Sequence, residues 1–444
     1  MKNIDLTEKL VRKCLSLGAD AAEVFLETSR SLSVNVIKSE IETIEEAASQ
    51  GVGFRVFVEG KMGFSHCNDL SNKSLEDTIS RAIAFARLST PDENNVLTDD
   101  MGITSIADLY DPGIAAEQMD KKIKMALDLE KLAMQDPRIT KSAGAGYGES
   151  ESEIFIGNSN GILKTYKSSG CYVGASVVAE KGDQKNTGGE YCSRVFFGDL
   201  VPLEEIAAVA SRKAIELLDP VMIKTQKAAI VFDPDVARAL LGGVISAING
   251  ERVLQGASFL KDYLNKQFAS SLLTITDDGI RPKSLGSSPF DGEGVPTSKN
   301  VLVENGVLKS FIYNTKAAKR AGVKSTGNAS RGGFSSLPGI GTHNVYISTG
   351  SHTRNEIIAA TKKGLLLLEV TGYGIDPVSG NFSGGASGLW IENGEFVHPV
   401  KGVTIAGSAF NILNAIDMIG NDLDMNMTNA APTFRVAEMQ IGGR

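Results

Sequence analysis

At 444 residues the chain is too long for one ordinary hydrophobic core, so two domains are expected. Hydrophobic content of 42% beside 22% charged residues is that of a soluble globular protein, and no apolar run approaches the ~20 residues of a membrane-spanning helix. The net charge of −8 opposes a phosphate backbone and argues against nucleic acid as a partner.

The N-terminus, MKNIDLTEKLVRK, lacks the apolar core of a signal peptide, so a cytoplasmic protein is expected. Ile4, Leu6, Leu10, Val11, Cys14, Leu15 and Leu17 recur at roughly helical spacing and Gly18 follows as a stop, which predicts an opening helix. Strands follow at 22–28, 31–38 and 51–66, the last folding about Glu59-Gly60. Helical patterns return at 74–88 and 115–135, and strands resume at 153–169, with a turn at Asn158 to Gly161, and at 171–182. Residues 202–218, PLEEIAAVASRKAIELL, form the best-patterned helix, and Asp219-Pro220 closes it. The domain boundary falls there, giving an N-terminal α+β domain over 1–220 and a C-terminal β-rich domain over 221–444.

The second domain opens with a strand at 227–233, then a helix with Asp233 as N-cap and Pro234 as first residue. Further on, 286–309 reads GSSPFDGEGVPTSKNVLVENGVLK, where Asp291 and Glu293 alternate with glycines before a strand, an Asn305-Gly306 turn and a second strand. Asn-Gly suits a two-residue type I′ hairpin, and LWIENGEFVHPV at 389–400 repeats the arrangement. Helices are expected at 315–322 and 353–363, with strands at 274–278, 344–348 and from Leu365 onward. Strands and helices come in blocks and do not alternate strictly, so the fold class is α+β.

Catalytic patterns are scarce. No GxSxG elbow, GxGxxG in strand–helix context or GxxxxGK[ST] occurs. The four cysteines, Cys14, Cys67, Cys171 and Cys192, are scattered without metal-knuckle spacing and read as ordinary thiols. None of the four histidines, His66, His343, His352 and His398, has a partner at metal-ligand spacing. His343 follows a glycine-rich loop and precedes a strand, a place for a working imidazole or for a surface or strand-edge histidine. Asp291 and Glu293 read either as solvated carboxylates on a turn or as a metal or acid–base pair.

The strings SSPFDGEGVPT, NVLVENGVLKSF, STGN at 325–328, WIENG at 390–394, VTIAGS at 403–408 and GNDL at 420–423 together resemble the TldD/PmbA family, also called TldD/TldE. The resemblance implies a metalloprotease of two related subunits that degrades or trims unfolded peptides, with zinc held in TldD by an HExxxH helix and a late cysteine. In this sequence those His, Glu and His positions fall on about Leu241, Gly242 and Ser246, and no cysteine follows Cys192. Residues 67–342 contain no histidine, so shifting the alignment does not restore the motif. The resemblance therefore implies a TldE/PmbA-type subunit with no metal or catalytic residue of its own, partnered by a zinc-bearing TldD-type chain, with a homodimer as the alternative assembly. Phe290, Asp291, Glu293, Asn328 and His343 are expected at the peptide cavity or subunit interface, together with the strands of 280–313 and 365–392. Gly242-Gly243 is expected to admit close packing of neighbouring backbone. Two other functions are compatible with the sequence: a protein-binding modulator of DNA gyrase, the role behind the family's older name, and an independent metal-free peptidase built on His343 with Asp291 or Glu293.

Overall fold

The computed structural model describes residues 3–444, and the fold is α+β, with helices laid on several largely antiparallel sheets. In the N-terminal half, β1 (Ala21–Ile37), β2 (Glu40–Val58), β3 (Lys61–Cys67), β4 (Ile139–Asn158), β5 (Leu163–Lys181) and β6 (Gln184–Arg194) form one antiparallel sheet in the order β3-β2-β1-β4-β5-β6. Side chains alternate across it with period two. Val24, Leu26, Val52, Phe54 and Val56 pack under α1 (Asn3–Ser16) and α2 (Asn72–Leu88). Val34, Val36, Val173 and Val177 pack, beyond the short α3 (Pro112–Ala116), under α4 (Met119–Ala133) and α5 (Leu203–Ile215). The intervening residues, among them Phe25, Arg55 and Ile154, occupy the opposite face.

The expected strands 22–28 and 31–38 are one strand, because the polar run at Ser29 to Ser31 marks where the apolar cover ends and not where the strand does. Residues 40–50 and 184–194 are strands that the sequence did not suggest. The first is exposed on both faces, so no burial imposes an alternation on it. The turn at Glu59-Gly60 is present, with φ of 52° and 73°.

The C-terminal half is built around β7 (Gln226–Phe232), followed by α6 (Pro234–Ala247), capped at Asp233. β14 (Lys363–Ile375), β15 (Asn381–Glu392), β16 (Glu395–Ser408), β17 (Ile416–Ile419) and β19 (Phe434–Gly442) join β7 in the order β16-β15-β14-β7-β19-β17. β16 also pairs with β19, so five strands close into a barrel and lose their free edges. Phe232 stacks on Phe434 at 4.8 Å in its core. A second sheet runs β10 (Val307–Leu308), β9 (Lys299–Glu304), β8 (Ile275–Asp278), β13 (Val345–Ile347) and β18 (Asn429–Ala430), and β11 (Ala329–Ser330) pairs with β12 (Gly339–Ile340). Short helices α7 (Gly250–Leu254), α8 (Thr315–Ala321), α9 (Arg354–Ala359) and α10 (Ala409–Asn414) connect them. Both Asn-Gly hairpins form as the sequence predicts, with positive φ at Asn305 and Gly306 and at Asn393 and Gly394. No helix is long and apolar enough to cross a membrane among the described residues.

Candidate functional site

The loop between β8 and β9 docks on the helix-free face of the N-terminal sheet. Asp291 is at its tip: the Val295 carbonyl accepts from the Asp291 N–H at 2.8 Å, and Gly294, with φ of 87°, completes the reversal. Asp291 Oδ1 accepts from the N–H groups of Glu293 (2.9 Å) and Val295 (3.0 Å), and Oδ2 accepts from the Ala329 N–H (2.9 Å). Glu293 turns the other way. Its Oε1 accepts from Arg55 at 2.8 Å and its Oε2 from the Thr315 N–H at 2.7 Å.

Neither carboxylate is solvated: Asp291 is 3% and Glu293 0% exposed, so the solvated-turn reading is corrected. The glycines between them let the loop lie flat against its neighbours, and Gly292 has Ala329 and Arg331 at its back. Nor are they arranged as an acid–base pair, since they turn apart and each oxygen is engaged by a structural donor. Burial, and then the charge of Glu293, raise Asp291 to about 7 against its three N–H donors.

Arg55 also donates to Glu23 at 2.6 Å. Glu23 in turn pairs with Arg331, whose Nε donates to the Gly292 carbonyl at 2.6 Å and whose guanidinium stacks on Phe25 at 4.8 Å. Two arginines and two glutamates thus form a dry chain, Arg331–Glu23–Arg55–Glu293, half of it from each part of the protein. Burial opposes the charge on Arg55, but Glu23 and Glu293 outweigh it and raise its pKa. Neither Glu23 nor Arg331 carries a local sequence signal. The available signal was Arg55 itself, a lone cation inside the apolar run GVGFRVFV.

Beside this chain lies a cavity of about 290 Å³ lined by Phe25, Glu27, Tyr166, Phe290, Asp291 and His343, among others. Of the five residues expected at a cavity or interface, Phe290, Asp291 and His343 line it, while Glu293 and Asn328 are buried behind it. Residues 365–392 do not line it; they supply barrel strands β14 and β15 and the turn between them.

His343 is 9% exposed and not a surface residue. Its Nε2 lies 2.7 Å from the Gly327 carbonyl, which fixes the proton on that nitrogen, and its backbone N–H donates to Asp277 at 2.8 Å. Asn328 donates to Asp277 at 2.7 Å and to the Gly341 carbonyl at 2.9 Å. Burial raises the pKa of Asp277, which the charge of His343 and these donors oppose without cancelling. No hydrogen bond joins His343 to Asp291 or Glu293 among the described residues, so the metal-free peptidase dyad is not formed.

On α6, Leu241 is 1% exposed and part of the core. A side chain at Gly242 would meet open space, whereas at Gly243 a Cβ would stand 2.7 Å from that of Ile375. The expectation of close packing therefore holds for Gly243 and is corrected for Gly242. Among the described residues no three His, Cys, Asp or Glu side chains converge to hold a metal ion. All four cysteines are free, and burial pushes the thiols of Cys14 and Cys171 up to about 12.

Three family descriptions match along the chain: PmbA/TldA metallopeptidase domain 1 over 22–86, the central domain over 114–218 and the C-terminal domain over 225–443. The Metalloprotease PmbA of Escherichia coli O157:H7 is 30% identical over 446 residues, covering 99% of this chain and 96% of the relative. A crystal structure from Bacteroides thetaiotaomicron, described as a candidate modulator of DNA gyrase, superposes with a TM-score of 0.92 at 28% identity, covering 100% of this chain and 99% of that one. TldE from Thermococcus kodakarensis gives a TM-score of 0.91 at 26% identity, covering 98% and 99%.

Proposed function

Because this chain belongs to the PmbA/TldD metallopeptidase family, we propose that it is the metal-free, TldE/PmbA-type subunit of a two-subunit peptidase that acts on unfolded peptides. The donor set of α6 carries this reading. Zinc takes imidazole, thiolate or carboxylate ligands. Where the family motif would place His, Glu and His, this helix offers a buried aliphatic side chain, a glycine and a serine. Zinc does not fit this chain, and bond cleavage belongs to a TldD-type partner that bears the HExxxH helix.

The contribution of this chain is to shape and enclose. Its loop of 286–294 is held rigid by the buried charges, and rigid walls position a flexible peptide at lower entropic cost. Purification of the chain alone and after co-expression with an HExxxH-bearing family member tests the assignment. The expected result is a stable complex that degrades an unfolded casein-like protein and stops on addition of chelator, with a lone chain that is inactive. Stoichiometric zinc in the lone chain, or chelator-resistant peptidase activity from it, would overturn the proposal.

A further inference from the structure

Residues 40–50 of β2 are exposed on both faces of the sheet. β1 pairs with β2 along its whole length, but β3 covers the outer edge only from Val52 onward. Between residues 40 and 50 the outward backbone N–H and C=O groups therefore meet solvent. Such an edge is a template for an added strand, and proteins limit additions by keeping it short, bulging it or charging it, so that any strand added here must match its charges. Here it is long and carries apolar side chains: Ile41 is 47% and Ile44 44% exposed.

The register sorts the side chains by face. Ile41 and Ile44 lie opposite Val36 and Val34, whose side chains enter the helix-covered core. Thr43 and Glu45 lie opposite Asn35 and Ser33 on the other face. The irregularity at Asn35/Val36 takes up Glu42, which lines an open trough with Asn35 and Tyr191. Glu46 is engaged by Arg30 at 2.8 Å, whereas Glu42 and Glu45 have no ion-pair partner among the described residues. The edge thus presents isoleucine on one side and unpaired carboxylate on the other. Antiparallel pairing with a second copy in the register that sets residue 42 against residue 45 would place glutamate against glutamate, which is unfavourable.

We propose that this edge accepts an extended segment of a different polypeptide in which apolar residues alternate with lysine or arginine. Backbone hydrogen bonds hold the added strand, its apolar positions cover Ile41 and Ile44, and its cations face Glu42 and Glu45. The inference is independent of the peptidase reading.

Titration of the full chain with a fluorescent peptide of about ten residues alternating valine and lysine, a typical strand length or longer, tests it. A valine–glutamate peptide and a valine–lysine peptide N-methylated at alternate residues serve as controls. The expected result is that only the unmethylated valine–lysine peptide binds, and that it slows amide exchange within residues 41–51. Glu42→Lys combined with Glu45→Lys weakens that binding by roughly tenfold or more and transfers the preference to the valine–glutamate peptide. Equal binding of the methylated peptide, or unchanged exchange within 41–51, overturns the proposal. A dimer of the chain that protects this edge and survives the charge reversal assigns it to a second copy and overturns it equally.

Discussion

Arg55 donates to Glu293 at 2.8 Å across 238 positions of chain, tying the helix-free face of the N-terminal sheet to the glycine-flanked loop of the C-terminal half. Both side chains are almost wholly removed from water. Breaking a buried pair by removing one partner is far more costly than never having had it, because the other charge stays behind. Arg55→Met leaves Glu23 and Glu293 dry, with Arg331 as their remaining cation. The expected loss is about 3–5 kcal/mol of stability in urea unfolding of the full chain. A loss within experimental error would mean that water enters the junction.

The pH dependence has a defined sign. In the folded chain Asp291 ionises at about 7, and in the unfolded chain at about 4. Between these values the folded state holds a proton that the unfolded state has released, so this group's contribution falls as pH rises and levels off above about 7. Glu293→Gln removes the second cause of the shift. Beyond a constant loss of the Arg55 pairing, the variant is expected to show a shallower decline of unfolding free energy over that window than the natural chain. Parallel curves would refute the coupling of the two carboxylates.

Gly242 and Gly243 are neighbours with opposite expectations. Gly242→Ala adds a methyl group into open space and removes a helix-interior glycine, so a gain of about 1 kcal/mol is expected. Gly243→Ala drives its methyl against Ile375, and overpacking of this kind costs about 1–3 kcal/mol. Thermal melts of the two variants should move in opposite directions.

Asn328→Ala takes from the buried Asp277 its side-chain donor and from the Gly341 carbonyl an Nδ2–H. The His343 N–H on Asp277 remains. A destabilisation of about 1–3 kcal/mol is expected for the unsatisfied groups, measured by urea unfolding. Asn328→Asp, which sets a second carboxylate beside the first, should be worse than Asn328→Ala.

What the sequence made legible follows from where local chemistry dictates geometry. The Asn305-Gly306 and Asn393-Gly394 turns, the alternation through Val52, Phe54 and Val56, and the Asp233-Pro234 helix start all obey short-range rules, and all appear as expected. The charged junction obeys no such rule. Glu23 meets Arg331 across 308 positions, and nothing near Glu23 in the chain announces its partner. Likewise Asp291 looked solvated because Asp-Gly-Glu-Gly is a turn composition, and turns are usually at the surface; only the docking of two separate halves makes this one interior. The strand at 40–50 was missed for the converse reason, since a strand exposed on both sides has no burial pattern to read.

Glu23 is shared between an arginine of its own sheet and one from the far half of the chain. Without the C-terminal half, its pair with Arg55 would stand on an uncovered face of the sheet. With the halves together, all four charges are out of water and each is compensated only by the others. Two fragments cut near the linker at 216–225 would find each other through long-range attraction that salt weakens, and would then hold through contacts that salt no longer reaches. The wall of the cavity is thus only as intact as the contact between the two halves.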